Sequence, residues 1–290
     1  MMDFLKKLFG KPYEQQPLQV GPSAKPSIPQ AEIDRFVEWF ESQSRPAVGF
    51  VAAKDQPRSA DGSRLAGPAW IADGEEWPCA KNGVPLEFLF QLDCADCAAL
   101  DGYPSDTILQ FFVGRSDLYG CDFDRLVTGD FLVHARSRSD KGALQSPPPL
   151  EVVNDEFGSD FSPIMNLVVR TEGIAFVPEL YTDTMDWSLH EVASRIDALH
   201  ERYDITKLED WIEGDGDRRA SRHHTGGYPA FTQSDITASE TGRPFDHVLL
   251  NLTADDHIMF GDSGECVFLI RKEDLRRGDF SRVAYSWDCC

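Results

Sequence analysis

The chain has 290 residues, 41% hydrophobic and 11% aromatic, with 28 Lys and Arg against 49 Asp and Glu and a formal charge of −21 at pH 7. That apolar share supplies a real core for one large domain or two small ones. The acidic balance disfavours nucleic acid and anionic membranes as partners and favours a basic protein, and no run of 18 apolar residues predicts a transmembrane helix.

In chain order, "MMDFLKKLFGKPYEQQP" lacks the long apolar run and small-residue cleavage site of a secretory signal and reads as an arm. Five prolines between residues 10 and 30 mark a linker, so residues 1–29 form an arm and linker and 30–290 a single compact domain. In "SIPQAEIDRFVEWFESQ" the i, i+3, i+4, i+7 spacing of Ile33, Phe36, Val37 and Phe40 predicts an amphipathic helix. A second helix starts at a capping box, Ser188 and Glu191, and carries Leu189, Val192, Ile196, Leu199 and Tyr203 on one face.

Short β-branched and aromatic runs predict strands at 47–53, 86–93, 107–113, 130–135, 164–170, 247–253, 265–271 and 282–287, with Gly, Pro, Asp and Asn between them. "SPPP" at 146–149 is a loop.

Two blocks align without a gap, "FFVGRSDLYGCDFDR" (111–125) and "FLIRKEDLRRGDFSR" (268–282), with six of fifteen residues identical, Phe111/Phe268 and Phe123/Phe280 among them. Upstream, Gly67 precedes Pro85 by the same interval that separates Gly226 from Pro244. We therefore expect two internal copies, about 67–125 and 226–282, too long in period for a solenoid.

Candidate chemistry is sparse. "GDSG" at 261–264 is the string that surrounds a serine-protease nucleophile, but His134, His190, His200, His223 and His224 all lie in the wrong context for that enzyme. Ser263 is thus expected to be a turn residue. "CADC" (94–97) has zinc-ligand spacing without a suitable second pair, since Cys289/Cys290 and His223/His224 are chain neighbours. The odd number of cysteines, seven, and no secretory signal predict reduced thiols in the cytoplasm. No cofactor and no metal are expected, although Cys94 with Cys97 and the trio Asp255, Asp256 and Asp262 are the places where a metal would be sought.

"WPCAKNGVPLEFLFQLD", "HHTGGYPAFTQSD", "LLNLTADDHIMFGDSGECVFLIRKEDLRRGDFSRV" and the closing "WDC" resemble the YwqG-like family, a bacterial domain of unknown function, across roughly residues 45–290. The resemblance implies an α+β fold, duplicated antiparallel sheets with a few flanking helices in a single compact domain, and brings no catalytic residues. It also implies an association with bacterial toxins, hence an immunity role.

The leading expectation is a non-catalytic acidic inhibitor that binds a basic toxin domain, most readily a nuclease. The tract from Thr182 to Asp217 holds eleven acids against three bases. Its end, "EDWIEGDGDRR", reads as a loop presenting Trp211 among Asp210, Glu213, Asp215 and Asp217, an aromatic anchor in a polar ring. Asp255 and Asp256 are the second candidate contact. The alternatives are a small-ligand sensor, or an enzyme using the "RHHTGGYP" imidazoles, in a groove between the two copies.

Overall fold

The computed structural model describes residues 25–53, 59–148, 161–186, 188–216 and 222–290. In chain order the elements are α1 (Gln30–Ser42), β1 (Ser44–Ala52), β2 (Arg64–Leu65), β3 (Ala69–Ala72), β4 (Glu87–Asp93), β5 (Thr107–Val113), β6 (Phe131–Ser137), β7 (Gly142–Gln145), α2 (Leu167–Glu172), β8 (Ile174–Thr184), α3 (His190–His200), α4 (Thr206–Gly216), β9 (His224–Gly226), β10 (His247–Leu252), β11 (Glu265–Ile270), α5 (Lys272–Arg277) and β12 (Ala284–Asp288). Among the described residues, ten strands pair antiparallel in the order β12-β11-β10-β9-β1-β8-β2-β4-β5-β6, and β3 pairs with β7 apart from them. The class is α+β in a single domain.

β1 and β8 form the centre, paired from Ser44–Thr184 to Ala52–Phe176. Outward from β1 come β9, β10, β11 and β12; outward from β8 come β2, β4, β5 and β6. The β4–β5 register slips between Phe88 and Phe90, and the β10–β11 register between Val248 and Leu250. Each bulge turns two successive residues, Leu89-Phe90 and Leu249-Leu250, into the same core.

In a flat sheet β5 and β11 would lie seven spacings, roughly 33 Å, apart. Instead Phe111 on β5 and Phe268 on β11 have ring centroids 5.0 Å apart, and Phe131 on β6 lies 5.1 Å from Tyr285 on β12. The sheet therefore curls until its two ends face each other, and the Tyr285 N–H donates to the Leu126 carbonyl at 2.8 Å across the closure. The main core fills the inside. On the outside, Val248, Val267, Leu269 and Ala284 pack under α1, α3 and α4, while Phe88 and Phe112 pack with Ile71 and Trp77.

Three local expectations are corrected. The run 164–170 is not a strand: the Asn166 side chain accepts the Val168 N–H at 2.8 Å and Gly173 (φ 71°) ends the six-residue α2. Capping chemistry outweighs the β-branched composition here. The Ser188–Glu191 capping box does not form. The His190 N–H is instead taken by Asp235, at 2.9 Å, from a distant loop.

The third correction is β8, the longest strand, which no expected strand covered. Pro178 disguises it, because proline is excluded from most central strands. It is tolerated because Phe50, its partner across the ladder, sends its own N–H the other way, to His223 O at 2.9 Å. On its far side, among the described residues, β8 pairs with the two residues of β2 at Ile174 and Ala175, and the Phe176 N–H donates to Ser63 O at 2.9 Å, so no ladder reaches Pro178 there.

Candidate functional site

Of the first acidic candidates, Asp210, Glu213 and Asp215 lie on a helix, not a loop. Asp204 accepts the Thr206 N–H at 3.2 Å and opens α4, and Leu208, fully buried, is followed at i+3 and i+4 by Trp211 and Ile212 on the core-facing side. Trp211 stands edge-on to Phe36 (6.5 Å) and Phe40 (6.0 Å) of α1. It is half-buried, so it is both a packing residue and a surface residue.

Between α1 and α4 runs a groove of 420 Å³, lined by Ile33, Val37 and Trp211 and by Asp34, Glu38 and Glu41. All three carboxylates are exposed. Asp34 takes one hydrogen bond from Gln30 at 2.9 Å, and Glu38 and Glu41 make no ion pair among the described residues. An apolar floor with an indole and a rim of unneutralised acids suits Lys or Arg side chains, whose stems cover apolar surface and whose heads meet carboxylates or the ring face. Asp34, Glu38 and Glu41 were missed in the sequence. Their i, i+4, i+7 spacing, one step beyond the Ile33/Val37 stripe, was the available signal.

Asp210 is exposed on α4. Glu213 and Asp215 lie in the last turn of α4, where only the backbone is described, and Asp217 lies outside the described residues. Asp255 and Asp256 do not join this group. Ile258, beside them, packs in the inner core, whereas Trp211 packs on the outer one. Asp256 is exposed, but Asp255 is engaged. Its Oδ1 accepts the N–H groups of His257 (2.8 Å) and Ile258 (3.0 Å), and its Oδ2 lies 3.3 Å from His223 Nε2. Burial acts to raise its pKa, but the His223 contact and these N–H donors outweigh it and hold the carboxyl at about 2. Asp255 is a turn anchor.

The paired imidazoles are likewise occupied. His223 Nδ1 accepts the Thr253 N–H at 3.2 Å, which places the proton on Nε2, toward Asp255. The ring nitrogens of His224 lie 2.9 Å from Arg222 O and 3.0 Å from Tyr228 O. His224 thereby bridges the Gly226-Gly227 turn, while His223 ties the start of β9 to the 253–255 turn. At Gly227 (φ 64°) a Cβ would collide with the Asp183 carboxylate, which accepts the Tyr228 N–H at 2.8 Å.

Ser263 sits at φ 54° in a turn closed by the Gly264 N–H to Phe260 O at 2.9 Å, and it is exposed. Cys94 and Cys97 are buried in a 3-10 turn, and burial, with neighbouring acids, pushes both thiols up. Among the described residues no three His, Cys, Asp or Glu side chains converge as a metal-ligand set, and no helix is long and apolar enough to cross a membrane.

Residues 63–289 match the model of a family described as Domain of unknown function (DUF1963). The chain belongs to that family. The YwqG-like resemblance is consistent with this membership. A comparison with curated proteins finds no match. The DUF1963 match spans β2 to β12 and so includes both outward strand sets, while α1, which supplies the acids of the groove, precedes it.

Elsewhere in the DUF1963 region the Glu265 carboxyl is displaced toward neutrality. Burial and the nearby Asp288 raise Glu265 to about 7. Asp288 itself accepts the N–H groups of Thr232 (3.1 Å), Gln233 (2.8 Å) and Ser234 (3.3 Å), fixing that loop against the start of β11.

Proposed function

We propose that this protein is a non-catalytic acidic inhibitor that captures a basic protein domain, and that the captured domain is a bacterial toxin, with a nuclease the first expectation. The observation that carries the reading is the α1–α4 groove: Trp211 on the floor and Asp34, Glu38 and Glu41 on the rim, on a chain of charge −21. A nuclease surface that holds phosphates accepts carboxylates by the same electrostatics. The toxin itself comes from the family resemblance. Engagement of His223 and His224 in the fold, and the turn geometry of Ser263, favour binding over catalysis.

The same reading takes the two strand sets as copies of one ancestral unit. Their matching outward order, the bulges at corresponding places and the alignment of 111–125 with 268–282 support it. A ligand groove between them is disfavoured, because Phe111, Phe268 and Tyr285 fill that space.

The test is co-expression with the toxin encoded beside it in a sensitive cell, followed by binding kinetics at low and high salt. Protection, a 1:1 complex and an on-rate that falls with salt are expected. Death of the cells despite stable expression, or no complex at micromolar concentrations, overturns the reading.

A further inference from the structure

The α1–α4 groove has an occupant of the right chemistry within the chain itself. The described structure begins at Lys25, and residues 1–24 precede it. Of these, "MMDFLKKLFGKPY" (1–13) holds Lys6, Lys7 and Lys11 against Asp3, a local excess of bases in a chain of charge −21. Phe4, Leu5, Leu8 and Phe9 are interleaved with those lysines. The groove offers the complement: Ile33, Val37 and Trp211 on its floor, and the exposed carboxylates Asp34, Glu38 and Glu41 on its rim. Lysine stems cover apolar surface while their ammonium groups meet carboxylates. A second copy laid groove against groove would instead oppose acid to acid.

The chain enters the described fold at the head of this groove. The Asp204 N–H donates to the Pro26 carbonyl and the Ile28 N–H to the Asp204 carbonyl, both at 2.9 Å. Residues 26–28 are thereby pinned beside the start of α4 and just before α1. Gln30, the first residue of α1, already lines the groove, and Glu41 lines its other end. At 1.5 Å per residue that stretch of helix is roughly 17 Å long. Thirteen residues separate Lys11 from Lys25. A chain of that length has a root-mean-square reach of about 20 Å as a coil and at most about 45 Å when extended. Reach and groove therefore match, and the tether presents the lysines at an effective concentration on the order of millimolar.

We propose that residues 4–11 of this chain occupy the α1–α4 groove, their apolar side chains against Ile33, Val37 and Trp211 and their lysines at Asp34, Glu38 and Glu41. The segment is then a tethered competitor, which a basic partner must displace to use the groove. That regulatory consequence rests on the inhibitor reading. The contact itself rests only on the groove and on residues 1–13.

The test treats the full chain with a zero-length carbodiimide cross-linker at low salt, in an equal mixture of unlabelled and isotope-labelled protein, and maps the linked peptides by mass spectrometry. Links from Lys6, Lys7 or Lys11 to Asp34, Glu38 or Glu41 should dominate, join residues of one isotopic form, and fade at high salt. A second measurement uses Lys6→Gln, Lys7→Gln and Lys11→Gln together, which leave every described residue unaltered. In that variant, coupling of a small amine to Asp34, Glu38 and Glu41 should quicken about threefold or more, as the competitor leaves. Glu240, also exposed, is the unchanged reference. Three outcomes would each overturn the proposal: links that reach Glu240 as often as the groove acids, links that join the two isotopic forms in statistical proportion, and groove acids no more reactive in the lysine variant. The second of these would assign the groove to the same segment of another copy. No readout involves a toxin, so failure here leaves the inhibitor reading to its own test.

Discussion

Phe111 and Phe268 meet edge to face, ring centroids 5.0 Å apart and planes 63° apart, although six strands separate β5 from β11 in the hydrogen-bonded order. Both are fully buried. Each stands at the head of one of the two aligned sequence blocks. Phe111→Ala and Phe268→Ala should each cost about 3–5 kcal/mol in urea unfolding. Because the rings touch, the double variant should depart from additivity by about 0.5–1.5 kcal/mol. Strict additivity would mean that the curl does not bring them together in solution.

The groove predicts a separation of kinetic effects. Asp34→Asn, Glu38→Gln and Glu41→Gln together should leave stability within roughly 1 kcal/mol, slow association with the basic partner and flatten its salt dependence. Trp211→Ala should act mainly on dissociation, and should also lower stability by about 1–2 kcal/mol because the ring packs on Phe36 and Phe40. Surface-capture kinetics at two salt concentrations, with thermal melts of the free protein, read both effects.

Ser263→Ala should change stability by no more than about 0.5 kcal/mol, and a fluorophosphonate probe should leave the protein unlabelled. Gly264→Ala is the contrasting variant. Its Cβ would collide with the carbonyls of Phe260 and Asp288, costing about 1–3 kcal/mol or more. Stoichiometric labelling that disappears in Ser263→Ala would instead identify an activated serine.

Two carboxyls should titrate stability in opposite senses. Asp255, at about 2 in the fold, stabilises above its ordinary value near 3.8, and that contribution is lost as the pH falls toward 2. The margin of the wild-type chain over Asp255→Asn should shrink over that interval. Glu265, at about 7 in the fold, holds its proton more tightly there than in the unfolded chain. The resulting stabilisation is present below about 4.5 and lost as the pH rises through 7. Glu265→Gln should therefore gain on the wild type between pH 4.5 and 7 and stay ahead above it. Chemical denaturation across pH measures both; a Glu265→Gln margin independent of pH would show that the burial and the Asp288 neighbour do not act as described.

Most outer strands were legible because alternation and turn residues agree, as in Thr107–Val113 and Glu265–Ile270. The central strand was not, since Pro178 breaks the pattern, and it is allowed only by tertiary context, the Phe50 N–H turned to His223 O on one side and the short β2 on the other. Leu208, Trp211 and Ile212 already carried helical spacing, but Gly214 and Gly216 with their acids read as a loop. For the sites, composition pointed to acids near Trp211, while the contribution of α1 came from tertiary packing.

The central pair also sets an order of assembly. β4, β5 and β6 are hairpin neighbours in sequence, and so are β10, β11 and β12, so either leaf can form from local contacts as soon as it is synthesised. β1 and β8 lie more than a hundred residues apart in the chain, and β2 and β9 attach the leaves through two and three residues only. The first leaf must therefore wait, with β1 unpartnered, until β8 emerges. The β1–β8 ladder is complete only once Thr184 is made, and a chain cut short before it would leave β1 without its full ladder, an open strand edge exposed to self-association.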